Sequence, residues 1–444
     1  SVQEGSTLQL TATPRDATNL PLAGRVVTWA SSSDAVATVD GTGRVTGVAA
    51  GSTTITATSE GKSGSAAISV ITVPLGQCGP WPAGITAWVQ PLPLSTGQAF
   101  HASPTGSDAN PGTLSAPWQS LSKANSLQPG QILYLRAGTY GARGTTALDF
   151  SARGTAAAPI TVSGYPGDAR PVLQGRLYMS GEYLRLTNVI IDGPTGNVGG
   201  PGPGGEAITL IMSGAHIELS NSEARFDWWH AGVGAGGAVD YRIINNYIHD
   251  NGGYNGDYTD SQWNTSHGVY NSPSSYGLIA NNVIEHNDAK GLMGRHDAHH
   301  IIVVNNTVVG NGRYGIDVAE STHDWILANN ILLNNGTIKG GSGIGTPGSG
   351  GASYVQINNL FWNNGTSGNS TWDNNATIIN NRVANPLLVN PAVATDRQNL
   401  SPNTDNRLQA GSPAIGFADP NYVLPYDITG KCRDAAPDAG AHER

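Results

Sequence analysis

Residues 299–310 read HHIIVVNNTVVG, and residues 323–334, which begin 24 positions later, read HDWILANNILLN. In both stretches an apolar run ends in two asparagines, and a second apolar run follows. An asparagine followed by residues that favour β-strands recurs at Asn188, Asn221, Asn246, Asn282, Asn306, Asn330, Asn359 and Asn381. The successive spacings are 33, 25, 36, 24, 24, 29 and 22 residues, so the basal period is about 24. A period of that length, built from three short strands per turn, is typical of a β-solenoid.

Asparagine suits this repeated position for two physical reasons. It tolerates the left-handed backbone conformation of tight turns, and stacked asparagines can hydrogen-bond along the axis of a solenoid. Where the period lengthens we expect inserted loops, at residues 194–205 and 252–266, both leading into the same strand of the coil. Loops on a rigid scaffold are frequent binding sites.

Residues 1–72 have a different pattern, in which short alternating runs are separated by Gly, Ser and Asp turns, as in a small β-sandwich. The segments VTWASSSDAVATVDG (27–41) and GRVTGVAAGSTTITA (43–57) closely resemble the bacterial immunoglobulin-like group 2 family. The resemblance implies a spacer or adhesion module without chemistry of its own. A Pro/Gly-rich stretch, residues 73–97, is predicted to be a linker.

Residues 98–444 are predicted to form the main body. FHASPTGSDANPGT (100–113), a short helical stretch containing Trp118, Leu121 and Ala124, and GQILYLRAGTY (130–140) follow one another in that order. This order resembles the opening of bacterial right-handed parallel β-helix proteins of the pectate-lyase superfamily, and PDAGAHE (437–443) resembles their closing motif. The predicted fold is therefore all-β, a right-handed parallel β-helix with a small N-terminal immunoglobulin-like sandwich.

Composition narrows the classes of partner. The net charge is −9 and no basic run is present, which argues against a nucleic-acid partner. No stretch approaches the roughly 18 consecutive apolar residues of a membrane span, so membrane insertion is not expected. We expect a secreted or cell-surface protein whose partner is a polysaccharide, with self-association or cell-surface attachment as further candidates.

The two cysteines, Cys78 and Cys432, lie 354 positions apart. That separation excludes a local metal-binding pair. Two alternatives stay open at this stage, a disulfide that requires the C-terminal tail to fold back and two free buried thiols.

A column of polar residues precedes a short x-Gly-apolar strand in each coil. Counting from the asparagines places Glu206, His230, His267, Lys290, Tyr314 and Ser342 in this column. His230, Lys290 and Tyr314 each lie 16 residues before their asparagine, whereas His267 is offset by one. Strands in successive coils are about 4.8 Å apart, so neighbours in the column can share one ligand.

This column is suited to β-elimination from a uronate polymer. The reaction needs a base, a cation that neutralises the substrate carboxylate, and an acid for the leaving oxygen. We expect Lys290 or His267 as the base, Arg295 as the carboxylate partner, and Tyr314 or His230 as the acid. With Leu292 and Ile316 pointing inward, Met293, Arg295 and Asp317 are expected on the outer face.

A hydrolase would instead use carboxylates. Asp257 and Asp260 in the inserted loop, with Asp317 and Glu320, are candidates for an acid–base pair. The loop aspartates and the nearby aromatic residues are also candidates for substrate binding, the full set being Trp229, Asp257, Asp260, Trp263 and Tyr270.

A third cluster has the ligand types of a metal site. His299 and His323 each lie seven residues before a repeat asparagine, so they are expected to stack on adjacent coils, as are His300 and Asp324. His299, His323 and Asp324 are candidate ligands, and a divalent cation such as calcium is the candidate cofactor.

The sequence thus favours an extracellular lyase acting on a uronate-containing glycan. A glycoside hydrolase or an epimerase on the same fold remains open. Tyr314 to Asp317 resembles the start of the Tyr-Gly-x-Asp-Pro-His motif of mannuronan C5-epimerases, although Val318 and Ala319 replace the Pro-His pair. A non-catalytic adhesin or filament-forming glycan-binding protein is the alternative from a different class.

Overall fold

The structure is a computed structural model of the 444-residue chain. It describes every residue except 1, 4–6, 17, 23, 35, 49–50, 72–77, 143–147, 194–207, 228–229, 253–265, 338–339, 346–352, 366–375 and 393–403. The chain divides into two compact units. The first comprises Ser1–Pro80, Pro166–Asp168 and Pro425–Cys432, and the second comprises Trp81–Tyr165, Ala169–Leu424 and Arg433–Arg444.

The first unit is a small β-sandwich, as predicted. Its strands are β1 (Val2–Gln3), β2 (Thr7–Gln9), β3 (Thr28–Ser31), β4 (Ala37–Val39), β5 (Arg44–Gly47), β6 (Gly51–Ser59) and β7 (Lys62–Ile71). They form a four-stranded sheet in the order β1-β7-β6-β3 and a three-stranded sheet in the order β2-β5-β4. Buried Ala37 and Val45 from one sheet pack against Ile55 and Ile68 from the other.

The first unit also contains a disulfide between Cys78 and Cys432, whose Cα atoms are 5.2 Å apart. The structure therefore decides between the two alternatives that the sequence left open.

The second unit is built from three long parallel sheets, whose strands are numbered in chain order with those of the first unit. The first sheet contains β8 (Ala99–Ala102), β9 (Ile132–Leu135), β12 (Ile160–Gly164), β15 (Glu182–Thr187), β18 (Ala215–Ser220), β21 (Val239–Ile244), β24 (Ser275–Ala280), β27 (His299–Val304), β30 (His323–Ala328), β33 (Ser353–Ile357) and β35 (Ala376–Ile379). The second contains β10 (Thr139–Gly141), β13 (Val172–Gln174), β16 (Ile190–Asp192), β19 (Glu223–Arg225), β22 (Tyr247–His249), β25 (Val283–Glu285), β28 (Thr307–Val309), β31 (Ile331–Leu333), β34 (Leu360–Trp362) and β36 (Arg382–Val383). The third contains β11 (Leu148–Phe150), β14 (Leu177–Met179), β17 (Ile208–Met212), β20 (Ala231–Ala235), β23 (His267–Asn271), β26 (Leu292–Gly294), β29 (Ile316–Val318) and β32 (Ile344–Gly345).

The remaining elements are short. They are the helix α1 (Ala83–Thr86), the 3-10 helices η1 (Leu121–Ser126) and η2 (Pro420–Tyr422), and the antiparallel pair β37 (Leu388–Asn390) and β38 (Asp405–Leu408). Among the described residues, no helix is long and apolar enough to cross a membrane.

A complete coil passes once through each sheet, and its strands pair in parallel with the equivalent strands of the neighbouring coils. For example, β27 pairs with β24 and β30, and Ile301 lies between Gly277 and Trp325. Apolar side chains of all three sheets point into the coil and form one continuous core from Ala102 to Phe361. The fold is the right-handed parallel β-helix that the 24-residue period predicts.

Buried asparagines connect the coils through two ladders. In the first, the side-chain oxygen of Asn306 accepts hydrogen bonds from the backbone N and Nδ2 of Asn282, both 2.9 Å away, and Asn330 serves Asn306 in the same way. The preceding residue of each pair, such as Asn305 (φ 54°), has the left-handed conformation. The prediction of stacked asparagines is confirmed. The two asparagines of each pair have different roles, since the first adopts the turn conformation and the second forms the ladder.

Two of the predicted ladder positions were one residue off. Asn188 (φ 54°) and Asn221 (φ 48°) are the left-handed turn residues of their coils, and the ladder position after Asn221 is Ser222. The backbone N of Ser222 donates to Asn246 Oδ1 over 2.9 Å. A second ladder, which the sequence analysis missed, runs through Asn251, Asn287, Asn311, Asn335 and Asn364 at the next corner of the coil.

The stretch 81–97, predicted as part of a linker, belongs to the second unit. Ile85 and Val89 are fully buried there. Buried Arg185 donates to the carbonyl oxygen of Leu92 over 2.6 Å, and Arg242 donates to that of Gln90 over 2.6 Å. These bonds satisfy backbone carbonyls of the stretch and hold it against the outer face of the first sheet.

The predicted capping segment closes the N-terminal end of the coil. Leu121 and Ala124 of η1 are buried in the core, and the ring of Trp118 stacks on that of Phe100 with centroids 4.7 Å apart.

Candidate functional site

The outer face of the third sheet carries the candidate catalytic residues because of a row of glycines at one corner of the coil. Gly268, Gly291 and Gly315 precede the inward-pointing residues Val269, Leu292 and Ile316. A Cβ atom on Gly291 would lie 2.6 Å from Val308 and 2.7 Å from the carbonyl oxygen of Gly315, so the corner has no room for a side chain. The residue before each glycine is His267, Lys290 or Tyr314 in successive coils.

Lys290 and Asp317 form a buried ion pair on this face. Nζ of Lys290 lies 2.6 Å from Oδ2 of Asp317, and it also contacts Sδ of Met293 at 3.2 Å. Only 2% of Lys290 and none of Asp317 is exposed. The pairing follows from the register, because β26 and β29 place Met293 beside Asp317 on adjacent coils. The predicted outward direction of Met293 and Asp317 is consistent with these contacts.

His267 occupies the neighbouring coil. It is 1% exposed, and its ring stacks on that of Tyr270 with centroids 5.6 Å apart and planes 20° apart. Among the described residues, Nδ1 of His267 has no hydrogen-bond partner. The ring of His230 contacts the edge of the Tyr270 ring, with centroids 4.5 Å apart.

Tyr314 and two arginines lie on the more open side of the ion pair. Tyr314 and Arg313 are half-buried, and the guanidinium carbon of Arg313 lies 5.8 Å from the centroid of the Tyr314 ring. The side chain of Arg295 is 33% exposed and pairs with Glu320. Arg313 was missed by the sequence analysis, although its position next to Tyr314 was a usable signal.

The predicted column is in register for four residues and wrong by one position for His230. The pairing of Val269 with Leu292, of Leu292 with Ile316 and of Ile316 with Ile344 places the four in register, namely His267, Lys290, Tyr314 and Ser342. Ala231, not His230, pairs with His267. The cause is turn length: four residues connect β26 to β27 and β29 to β30, whereas three connect β20 to β21 and β23 to β24.

Four predicted residues, Trp229, Asp257, Asp260 and Trp263, lie outside the described residues, as does Glu206. Their roles stay predictions. Tyr270 is the member of the predicted substrate-binding set that the structure describes, and it is 9% exposed.

Burial dominates the electrostatics of this face. Desolvation lowers the pKa of Lys290, an effect that Asp317 opposes and that Arg313 and Arg295 reinforce. Desolvation likewise raises the pKa of Asp317, against the attraction of Lys290. Burial, with Lys290 and His230 nearby, holds the pKa of His267 well below its usual range, so this imidazole is neutral at pH 7. The arrangement offers a neutral imidazole and a lysine that loses its proton more easily than in water.

The candidate metal ligands lie elsewhere, at the start of two strands of the first sheet. His299 pairs with His323 across β27 and β30, as predicted. The third residue whose ligand atom converges with theirs is Asp297, not the predicted Asp324. Asp324 contacts the other side of the His323 ring, with Oδ2 2.7 Å from Nδ1.

Comparisons with known proteins agree with both parts of this architecture. Residues 1–70 match the bacterial Ig-like domain (group 2), and residues 177–383 match the right-handed beta helix region. The solved structure of pectate lyase Pel9A is similar to this chain with a TM-score of 0.52 and 15% identity, over 82% of this chain and 100% of that one.

Two further similarities involve lacto-N-biosidases. The GH136 lacto-N-biosidase from Eubacterium ramulus has a TM-score of 0.40 and 15% identity, over 60% of this chain and 55% of that one. The curated lacto-N-biosidase of Bifidobacterium bifidum is 49% identical over 73 residues, which are 16% of this chain. The chain spans 6% of the length of that curated relative.

At these levels of identity, the likeness to Pel9A shows the fold, and each of the two family models matches a region of one unit. The chain is therefore a right-handed parallel β-helix protein that carries a bacterial immunoglobulin-like domain of group 2 at residues 1–70.

Proposed function

We propose that this protein is an extracellular polysaccharide lyase that cleaves a uronate-containing glycan by β-elimination on the outer face of the third sheet. The observation that carries the proposal is the buried Lys290, whose pKa is lowered by burial and which stands beside Asp317, His267 and Tyr314. Burying an amine is costly, and the β-helix does not need one on this face.

Lys290 has the chemistry of the base. In its neutral form, Nζ removes the proton on the carbon next to the uronate carboxylate, and the released electrons form a carbon–carbon double bond as the glycosidic C–O bond breaks. Asp317 remains a carboxylate and positions Nζ through their 2.6 Å contact. Tyr314 donates its hydroxyl proton to the leaving oxygen.

Arg295 and Arg313 are suited to the substrate carboxylate. A guanidinium that pairs with this carboxylate stabilises the charge that develops when the neighbouring proton leaves. Arg295 already holds a carboxylate, that of Glu320, which a polymer would replace. Since Tyr314 and Arg313 are half-buried and Lys290 is 2% exposed, the polymer meets the first two and must displace covering side chains to reach Nζ.

Two further points bear on the choice of reaction. Pectate lyase Pel9A shares the fold over its whole length, so a β-helix of this kind can support β-elimination. Acid–base hydrolysis needs two carboxylates. Within the described part of this face Asp317 is the buried carboxylate, and Lys290 already holds it.

The test is incubation with a panel of uronate polymers, with the ultraviolet absorbance of unsaturated chain ends as the readout. We expect activity that Lys290→Met lowers by a factor of about 10²–10⁴, the usual range for loss of a general acid or base. Arg153→Ala, which removes an exposed ion pair on another part of the coil, is the matched control and should retain full activity.

The rate should rise with pH, because Lys290 must lose a proton, and should level off below the pKa of about 10.4 of a free lysine. Release of reducing sugar without unsaturated ends would identify a hydrolase instead. No product from any uronate or neutral glycan would refute catalysis and favour the non-catalytic glycan-binding alternative.

A further inference from the structure

The turn that precedes β27 brings one carboxylate to a stacked pair of histidines. The rings of His299 and His323 are nearly parallel, with centroids 4.9 Å apart and planes 8° apart. One ligand atom from each of Asp297, His299 and His323 lies within 4.8 Å of the other two. Both histidines are half-buried and Asp297 is exposed, so the cluster is accessible to an ion from solvent.

Hydrogen bonds on the far side of each ring fix which nitrogen is available. Nδ1 of His299 lies 2.8 Å from the carbonyl oxygen of Asp297, which can only accept, so Nδ1 carries the hydrogen. Nδ1 of His323 donates to Oδ2 of Asp324 over 2.7 Å. With Nδ1 as the hydrogen-bonded nitrogen, Nε2 is the nitrogen of each ring that remains for a ligand, and Nε2 of His323 lies 3.3 Å from Oδ1 of Asp297.

A carboxylate or carbonyl that accepts from the second ring nitrogen is the usual outer support of a metal-bound histidine. His299 has the carbonyl form of this support, and His323 has the carboxylate form. Asp324 therefore belongs to the support of the cluster and Asp297 to its ligand set. His300 is not in the group of converging ligand atoms, and its ring contacts those of Trp88 and Tyr276.

We propose that Asp297, His299 and His323 bind a divalent first-row transition metal ion of the Zn²⁺ class, with water in the fourth position. Two imidazole nitrogens and one carboxylate oxygen match the preferences of such ions, whereas Ca²⁺ takes six to eight oxygen ligands. Zn–N bonds of about 2.0–2.1 Å require Nε2 atoms about 3.4 Å apart in a tetrahedral site.

The site is separate from the proposed catalytic face but linked to it by the chain. The four-residue turn between β26 and β27 contains both Arg295 and Asp297, and the equivalent turn before β30 contains Glu320. An ion held by Asp297 and His323 therefore ties together the two coils that carry the Arg295–Glu320 pair.

Isothermal titration of tag-free, chelator-treated protein with Zn²⁺ and with Ca²⁺ tests the proposal, together with electron paramagnetic resonance of the Cu²⁺-loaded protein. We expect one Zn²⁺ per chain, no Ca²⁺ binding at this site and two nitrogen ligands on Cu²⁺. His299→Ala and His323→Ala should each weaken Zn²⁺ binding at least tenfold without changing the circular dichroism spectrum.

His216→Ala is the matched control, because His216 lies on the same sheet, stacks on Tyr183 and, among the described residues, pairs with one carboxylate, that of Asp240 at 2.5 Å. It should leave Zn²⁺ binding unchanged. The proposal is overturned if the wild-type protein binds no Zn²⁺, if both cluster variants bind it as tightly as the wild type, or if Cu²⁺ has no nitrogen ligand.

Discussion

Removing one charge of the Lys290–Asp317 pair should destabilise the coil far more than removing both. Neither side chain is more than 2% exposed, and their charged atoms are 2.6 Å apart. In Lys290→Met the carboxylate of Asp317 stays buried without its cation, and such half-pairs typically cost about 3–5 kcal/mol. Asp317→Leu leaves the ammonium of Lys290 in the same position and should cost a similar amount.

The double variant Lys290→Met/Asp317→Leu removes both buried charges and replaces them with side chains of similar size. Replacing a buried ion pair by apolar residues is commonly neutral or stabilising by about 1–4 kcal/mol. We therefore expect the double variant to be close to the wild type in stability, with a coupling of at least about 3 kcal/mol between the two sites. It should nevertheless lack lyase activity, because the base is gone.

The measurement is equilibrium denaturation in guanidinium chloride followed by circular dichroism. Hydrogen exchange of β26 and β29 reports whether the opening is local, since repeat proteins can unfold in parts. Single variants that lose less than about 1 kcal/mol, or a double variant as unstable as the sum of the two, would show that the pair is solvated and refute the reasoning.

Three further predictions concern the fold. Burial alone would lower the pKa of His249, but its hydrogen bonds to Asp250 and Glu223 raise it to about 8. The stability that this ion pairing contributes, roughly 2 kcal/mol, is therefore complete below about pH 6.5 and is lost as the pH rises through 8. His249→Gln should flatten this part of a profile of stability against pH. Asn306→Ala leaves buried donors of the first ladder unpaired and should cost roughly 2–4 kcal/mol in denaturant titrations, whereas Asn421→Ala, at an exposed position of η2, should cost under about 0.5. Gly291→Ala puts a methyl group 2.7 Å from the carbonyl oxygen of Gly315 and should lower the thermal midpoint, whereas Gly64→Ala, with open space around it, should not.

The sequence predicts the repeat well because the ladder asparagines are chemically distinctive and recur with a basal period of about 24 residues. It predicts the lateral register less well, because one extra residue in a turn shifts every position after it. The turn from Arg295 to Ala298 is one residue longer than that from Ser272 to Ser274, which is why counting from the ladder misplaced His230 and made His267 look offset. Hydrogen-bond register, which depends on three-dimensional pairing, corrects both positions.

Other features depend on contacts between distant segments, and no pattern in the sequence predicts them specifically. Whether Cys78 and Cys432 come close together depends on the fold of all the residues between them. Both Asp297 and Asp324 lie within two residues of a cluster histidine, so only the orientation of the rings shows that Asp297, and not the predicted Asp324, belongs to the metal cluster. Sequence spacing places such residues near each other but does not say which side of a ring each one faces.

A second buried ion pair in the same coil gives a reference for interpreting Lys290 and Asp317. Arg185 and Glu218, with side chains 4% and 3% exposed, lie on the first sheet. Both oxygens of Glu218 accept hydrogen bonds from Arg185, Ser220 also donates to Glu218, and Arg185 donates in addition to backbone carbonyls of the stretch 81–97. The charged groups of both side chains therefore have hydrogen-bond partners, and the pair holds a chain segment in place.

The pair on the third sheet is different in this respect. Oδ1 of Asp317 has no hydrogen-bond donor among the described residues, and Nζ of Lys290 has a thioether as its other contact. An ion pair of this kind bears the cost of desolvation without the compensating bonds that Arg185 and Glu218 have. Incompletely satisfied buried groups call for an explanation, such as a ligand or a reaction that uses them, and the neighbouring His267 has the same property at Nδ1. The contrast between the two pairs, which share one scaffold, is therefore the strongest physical reason to place chemistry on the third sheet and not on the first.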